Sequence, residues 1–113
     1  MKVIVAGSRN ISSYELVKDA IENSGFDADT VVSGCAQGVD KLGEQWAKNN
    51  NKKVQRFPAN WEKYGKQAGF LRNVQMAENA DALVAVWDGK SSGTKHMIET
   101  ATAHNLKVHI KIA

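Results

Sequence analysis

The 113-residue sequence contains one cysteine, one proline and three arginines, Arg9, Arg56 and Arg72. A single cysteine excludes an internal disulfide framework, so a reducing, cytoplasmic setting is expected. No apolar run is long enough to span a membrane. The N-terminal Met1-Lys2-Val3-Ile4-Val5-Ala6-Gly7 is also too short for a signal peptide. No repeat, low-complexity tract or linker interrupts the chain, which reads as one domain over residues 1–113.

Several motifs are missing as well. GxGxxG is absent, since the first turn offers only Gly7, and this argues against an NAD-dependent dehydrogenase. Gly89-Lys90-Ser91 resembles the end of a P-loop. That motif needs a glycine five residues before its Gly-Lys, and the position holds Val84. His96 and His104 lie too far apart on one predicted helix to share an ion, and His109 stands alone. No metal and no cofactor are expected. The net charge of +3 is mild, and most of the cations are scattered lysines. It allows acidic small molecules or nucleic acid, but no aromatic-basic stripe marks a nucleic-acid surface.

The hydrophobic fraction of 42% and charged fraction of 24% are ordinary for a soluble domain. Apolar runs and helical patterns alternate along it. Strands are predicted at residues 2–6, 30–33, 53–57, 81–87 and 107–112. Helices are predicted from a cap at Ser12 or Ser13 to about residue 23, at residues 39–49, after residues 64–69 in a segment that carries Leu71, Arg72, Val74, Met76 and Ala77, and at about residues 94–104. Trp46 falls on an inward helical position and reads as core. Short connections and right-handed crossovers turn this alternation into an α/β fold, with a five-stranded parallel sheet and helices on both faces. The apolar strand at 81–87 belongs near the centre, and the predicted order is 3-2-1-4-5.

Ligands of such sheets bind at the carboxyl ends of the strands. The loops that land there are residues 7–10, 33–38, 58–61 and 87–94. In residues 30–40 a buried strand runs into a turn bounded by Gly34 and Gly38, then into a helix that begins with Asp40. Strand, small-residue turn and helix start together make a natural phosphate seat, or equally a tight turn built for packing. Cys35 has no histidine or acid to pair with and reads as a turn residue. Trp87 reads as a roof over the core. Trp61 suits either a roof or a surface that stacks on a base.

Gly7-Ser8-Arg9, Ser33-Gly34-x-Ala36-x-Gly38-x-Asp40, Phe57-Pro58-Ala59-x-Trp61, Ala68-Gly69-x-x-Arg72-Asn73-x-x-Met76, Asp81-Ala82-x-Val84-Ala85 and Ser92-Gly93-Thr94 occur in this order. The set resembles the SLOG superfamily, in its short single-domain YspA- and YpsA-related branch of bacterial and phage proteins. The resemblance implies a Rossmann-like three-layer fold that binds nucleotides or their derivatives. It also implies oligomers, and a homodimer seamed by the helix of Trp46 or of Met76 is expected.

The superfamily includes the Lonely Guy phosphoribohydrolases, where Arg-Lys-x-x-Met precedes Pro-Gly-Gly-x-Gly-Thr-x-x-Glu and the arginine and glutamate are catalytic. Arg72-Asn73-Val74-Gln75-Met76 matches the first part. The second departs, with Met97 where the glutamate belongs. Glu99 lies two residues on, rotated by about 200° around the helix, and does not replace it. Asp40 and Asp88 are the remaining acids at the sheet end, fit for ribose hydroxyls or for chemistry.

Three readings of function follow, in this order. The first is a binding or sensing module for a phosphorylated nucleoside or an ADP-ribose-like molecule. Its ligand residues are Gly7, Ser8, Arg9, Ser33, Gly34, Ala36, Gly38, Asp40, Trp61, Arg72, Asn73, Ser92, Gly93 and Thr94. The second is a hydrolase of an N-glycosidic or phosphoester bond in such a ligand, with Arg72, Asp40 and Asp88 as the catalytic candidates. The third is a nucleic-acid- or protein-binding module, which the superfamily's DNA-binding DprA members suggest.

Overall fold

A computed structural model describes all 113 residues and alternates strand with helix throughout. Strands β1 (Lys2–Gly7), β2 (Thr30–Ser33), β3 (Lys53–Arg56), β4 (Ala82–Trp87) and β5 (Lys107–Ile112) form one sheet. All pairs are parallel, and the order is β3-β2-β1-β4-β5, as predicted. The inner strands are short runs of Val, Ile, Leu and Ala because helices cover both faces. The edge strands β3 and β5 carry the exposed lysines and the polar alternation.

Alternate residues of the inner strands point to opposite faces. Val3, Val5, Val31, Val84 and Val86 pack against α1 (Tyr14–Asn23) and α2 (Val39–Asn49), through Val17, Ile21 and Trp46 among others. Ile4, Ala6, Val32, Leu83 and Ala85 pack against α4 (Ala68–Glu78) and α5 (Ser92–Ala103), through Met76, Met97 and Ala101. Each fully buried aliphatic side chain stabilises by roughly 1.5–3 kcal/mol. Ser13 caps α1, its Oγ accepting the Leu16 amide at 3.3 Å, and Gly25 follows that helix with φ of 77°.

Two details differ from the sequence reading. A one-turn helix, α3 (Trp61–Tyr64), and a 3-10 turn at Gly65–Gln67 fill the segment between β3 and α4. Asn60 caps α3 by accepting the Lys63 amide at 3.1 Å. A four-residue helix is too short to show a period in sequence. On the helices expected to seam a homodimer, Trp46 and Met76 themselves are turned into the protein's own core. The large apolar groups exposed on α4 are Phe70 and Leu71.

The chain reverses its direction across the sheet between β1 and β4, and ligands of such sheets bind beside that switch point. Gly7 makes the junction possible. A Cβ there would stand 2.0 Å from the Val86 carbonyl oxygen and 2.7 Å from Val39 Cγ2. Only glycine lets the end of β1, the end of β4 and the start of α2 meet. No helix is long and apolar enough to cross a membrane.

Candidate functional site

The carboxyl ends of the strands open into a cavity of about 490 Å³, within the range that small ligands occupy. Gly7, Ser8, Arg9, Ala36, Asp40, Trp61, Arg72, Asn73, Asp88, Ser92, Gly93 and Thr94 line it. The fold therefore brings together most of the residues singled out in the sequence. Ser33, Gly34 and Gly38 lie outside the lining.

The turn at residues 33–38, which the sequence offers as a phosphate seat or equally as a packing turn, is tied into the scaffold. Ser33 is fully buried, and its Oγ donates to Glu44 Oε2 at 2.6 Å. The same oxygen accepts the Cys35 amide at 3.1 Å. The Ala36 amide donates to Asp40 Oδ2 at 3.3 Å. Side-chain acceptors flanking the turn thus take up two of its amides, those of Cys35 and Ala36. The Gly34 carbonyl accepts from Arg72 Nη1. Gly38 has φ of 80°, and a Cβ on it would stand 2.5 Å from the Ser8 carbonyl oxygen. Backbone of the first loop therefore covers the start of α2. Glu44 accepts from Arg56 Nε at 3.0 Å, which places the third arginine in the scaffold.

The loop after β4 is arranged differently. Asp88 Oδ1 accepts the Lys90 and Ser91 amides, each at 2.8 Å. Hydrogen bonds from these amides, Ser91 first, hold the Asp88 carboxyl below the usual carboxylate range. The Asp88 amide donates to Ser8 Oγ at 3.0 Å, and Trp87 Nε1 donates to the Ser91 carbonyl at 3.0 Å. Ser91 then opens α5 without a side-chain cap bond. The amides of Ser92, Gly93 and Thr94 precede the first intrahelical bond and have no partner in the chain. They border the cavity at the positive end of a 12-residue helix.

Arg72 is partly buried on α4. Its Nε donates to Asn73 Oδ1 at 3.1 Å while Nη1 reaches Gly34. A guanidinium only donates, so this bond fixes the orientation of the Asn73 amide. Asn73 Nδ2 then faces the Gly93 carbonyl at 3.3 Å and His96 Nδ1 at 3.1 Å. That ring nitrogen is the acceptor, and the neutral imidazole carries its proton on Nε2. Arg9 is exposed and makes no hydrogen bond or ion pair within the chain.

Asp40 is only 4% exposed, yet it lines the cavity. Burial raises its pKa to about 6, opposed by the nearby Arg72 charge and by amide hydrogens at Ala36 and Gly7. Burial also lowers the Arg72 pKa, while Asp40 holds it up. No direct ion pair joins the two. The lining therefore holds three cations, Arg9, Lys66 and Arg72, against a tightly bonded Asp88 and an Asp40 whose pKa is raised to about 6. No three His, Cys, Asp or Glu side chains converge as a metal-binding group. Glu99 is exposed on α5 and lies outside the cavity.

Sequence reasoning missed Lys66 and Phe70, which also line the cavity. Phe70 lies three residues before Asn73, so both fall on one helical face, and that spacing was available to find it. Lys66 sits in the unforeseen 3-10 turn and gave no comparable signal.

Residues 1–64 match the profile of a family described as YAcAr: YspA, cpYpsA-related SLOG family. The matched stretch includes the loop after β1, the turn after β2 and Trp61. The Gene 61 protein of Mycobacterium phage D29 is 31% identical over 95% of this chain and 93% of its own length. No solved structure matches. A family of this kind points to the binding or processing of a nucleotide-related ligand in general terms. Profile, phage relative and five-stranded parallel fold agree: the chain belongs to the YspA- and cpYpsA-related SLOG family.

Proposed function

We propose that this protein binds a nucleotide-derived ligand, a phosphorylated nucleoside or an ADP-ribose-like molecule, at the carboxyl ends of its sheet. One observation carries the reading. The unpaired amides of Ser92, Gly93 and Thr94, Arg9 and the fork of Arg72 border the same cavity. A phosphate seated at the start of α5 accepts those amides and meets the helix dipole. Arg72 is already held in place by Asn73 and Gly34, so little ordering opposes its contact. Arg9 is free to fold onto the bound anion. Asp40 faces the same space and suits a ribose hydroxyl.

A thermal-shift screen of nucleotides and ADP-ribose, followed by mass spectrometry of the bound fraction, tests the reading. A dose-dependent rise in melting temperature supports it. No shift with any phosphorylated nucleoside up to millimolar concentration rejects it.

Asp40 gives a specific reason to keep a second reading, hydrolysis of the same ligand. A buried carboxyl with a pKa of about 6, facing a cavity, is poised for proton transfer near neutral pH. In cleavage of an N-glycosidic bond, water adds to the anomeric carbon and the base leaves with a proton. Asp40 is the group in reach to carry that proton. Arg72 holds the anionic part of the ligand. Asp88 has one oxygen committed to two backbone amides and serves to shape its loop. Product detection in the same screen separates the readings. Turnover that disappears in Asp40→Asn, with binding retained, establishes the hydrolase.

A further inference from the structure

Trp61 is 50% exposed and Phe70 is 46% exposed, and both line the cavity. Large aromatic faces left open to water together on one cavity wall mark a surface that a ligand can cover. Their positions are held. Trp61 sits in α3, whose start Asn60 caps. Phe70 lies against His96, with ring centroids 4.4 Å apart and a 37° tilt. His96 is tied through Asn73 to Arg72.

Gly69 connects the two halves of the cavity. A Cβ on Gly69 would stand 3.3 Å from Trp61 Cη2 and 3.8 Å from Arg72 Nη2. The missing side chain leaves open space between indole and guanidinium. An aromatic wall thus adjoins a phosphate-binding wall, with a glycine floor between them.

We propose that Trp61 and Phe70 form a stacking wall for a nucleobase, with the sugar over Gly69 and the phosphate on the Arg72 side. The ligand class is then a nucleoside phosphate that keeps its base, rather than a phosphosugar. The inference rests on the nucleotide reading above. Stacking is tolerant of base identity, because every base offers a π face. Affinity therefore depends on having a base more than on which base it is.

Calorimetric titration of the full chain with AMP, ADP-ribose and ribose 5-phosphate tests this, using wild type, Trp61→Ala/Phe70→Ala and Trp61→Phe. Both aromatics are half exposed, and far-UV circular dichroism checks that each variant folds. AMP should bind wild type about ten- to a hundredfold tighter than ribose 5-phosphate. The double variant should lose that advantage and leave ribose 5-phosphate unaffected, while Trp61→Phe keeps most of it. AMP binding that is unchanged in the double variant overturns the stacking wall and leaves the nucleotide reading standing. If none of the three ligands binds wild type, both fall. A change in sedimentation with AMP affinity intact assigns the aromatics to a contact between copies and overturns the inference. Gly69→Val, which fills the floor and presses on the Trp61 indole from 3.3 Å, should weaken AMP at least tenfold.

Discussion

The turn after β2 and the loop after β4 leave the same edge of the sheet, and both are rich in serine and glycine with an aspartate near a helix start. Each leads into a helix whose first three amides have no partner in the chain, Val39, Asp40 and Lys41 in α2 and Ser92, Gly93 and Thr94 in α5, but their surroundings differ. Ser33 and Asp40 stand on either side of their turn and take up the Cys35 and Ala36 amides. Asp88 stands before its helix and takes only the Lys90 and Ser91 amides, so the first three amides of α5 remain unpaired. Placement at the cavity separates the segments: Ser92, Gly93 and Thr94 line it, whereas Gly38 and Val39 do not. Composition alone does not separate them. The first segment is tied into the scaffold, and the second is the proposed ligand seat.

The largest expected effect breaks the scaffold half of the comparison. Gly38 has φ of 80°, and its Cβ would meet the Ser8 and Arg9 backbone at 2.5–2.8 Å. Gly38→Ala combines a disfavoured conformation with overpacking against main chain. It should cost about 2–5 kcal/mol of unfolding free energy. Urea denaturation measures this directly. A loss below about 1 kcal/mol would show that the first loop yields, and the turn would no longer count as rigid scaffold.

The next effect comes from Asp40, which closes the same turn. Its pKa is 3.8 as an ordinary carboxyl and about 6 in the fold. Between these values the folded state holds a proton that the unfolded state has released. The stability contributed by this group therefore falls as pH rises from about 4 to about 6, then stays flat. A rise of this size in pKa corresponds to about 3 kcal/mol. Asp40→Asn keeps an acceptor for Ala36 and removes the titration. The stability of wild type relative to Asp40→Asn should fall across that window by an amount of this order. Denaturation curves at closely spaced pH values read it, and a pH-independent difference would refute it.

Much of this architecture was legible in the sequence. Val31-Val32 and Ala82–Trp87 are apolar throughout because both faces are covered, and that pattern alone placed them inside the sheet. The segment between β3 and α4 was not legible, since α3 is one turn long and its cap is an asparagine four residues after β3 ends. The cavity-lining loops were found because ligand edges follow from topology. The bonding of the turn at residues 33–38 was not legible either. Hydrogen bonds from Ser33 Oγ to Glu44, and from the Ala36 amide to Asp40, depend on rotamers that no spacing rule encodes. Trp61 suits a roof or a stacking surface equally on sequence, and its exposure beside Phe70 is what separates the two.

Arg72 and Arg9 give a smaller and sharper test. Both border the cavity, but Arg72 also bonds to Gly34 and Asn73. Arg72→Ala should destabilise the ligand-free protein by about 1–3 kcal/mol, since the Gly34 carbonyl loses its partner. It also removes the charge that opposes protonation of Asp40, so the Asp40 titration moves upward and the two substitutions are not additive. Arg9 has no partner to lose, and Arg9→Ala should leave ligand-free stability within about 0.5 kcal/mol. Affinity for a phosphorylated nucleoside should weaken in both. Equal melting temperatures for the two ligand-free variants would dissolve the distinction between them.

Gly93 is the counterpart of Gly38 in the second segment, and substitution there is not expected to destabilise the fold. A Cβ built on Gly93 meets nothing within 4 Å, and its φ is not in the left-handed region. The residue lies in the first turn of α5, where alanine forms helix better than glycine. Gly93→Ala should leave the ligand-free protein unchanged or raise its stability by up to about 1 kcal/mol. The same methyl group stands beside the unpaired amides that are assigned to the phosphate. Binding of AMP should therefore weaken by about tenfold, or about 1.4 kcal/mol. The pair of alanine substitutions separates the two segments without reference to sequence. At Gly38 stability falls and the site is lost with the fold. At Gly93 the fold stands and affinity alone moves. Undiminished AMP affinity in a stable Gly93→Ala protein would remove the phosphate from the start of α5 and leave Arg9 and Arg72 as its only anchors.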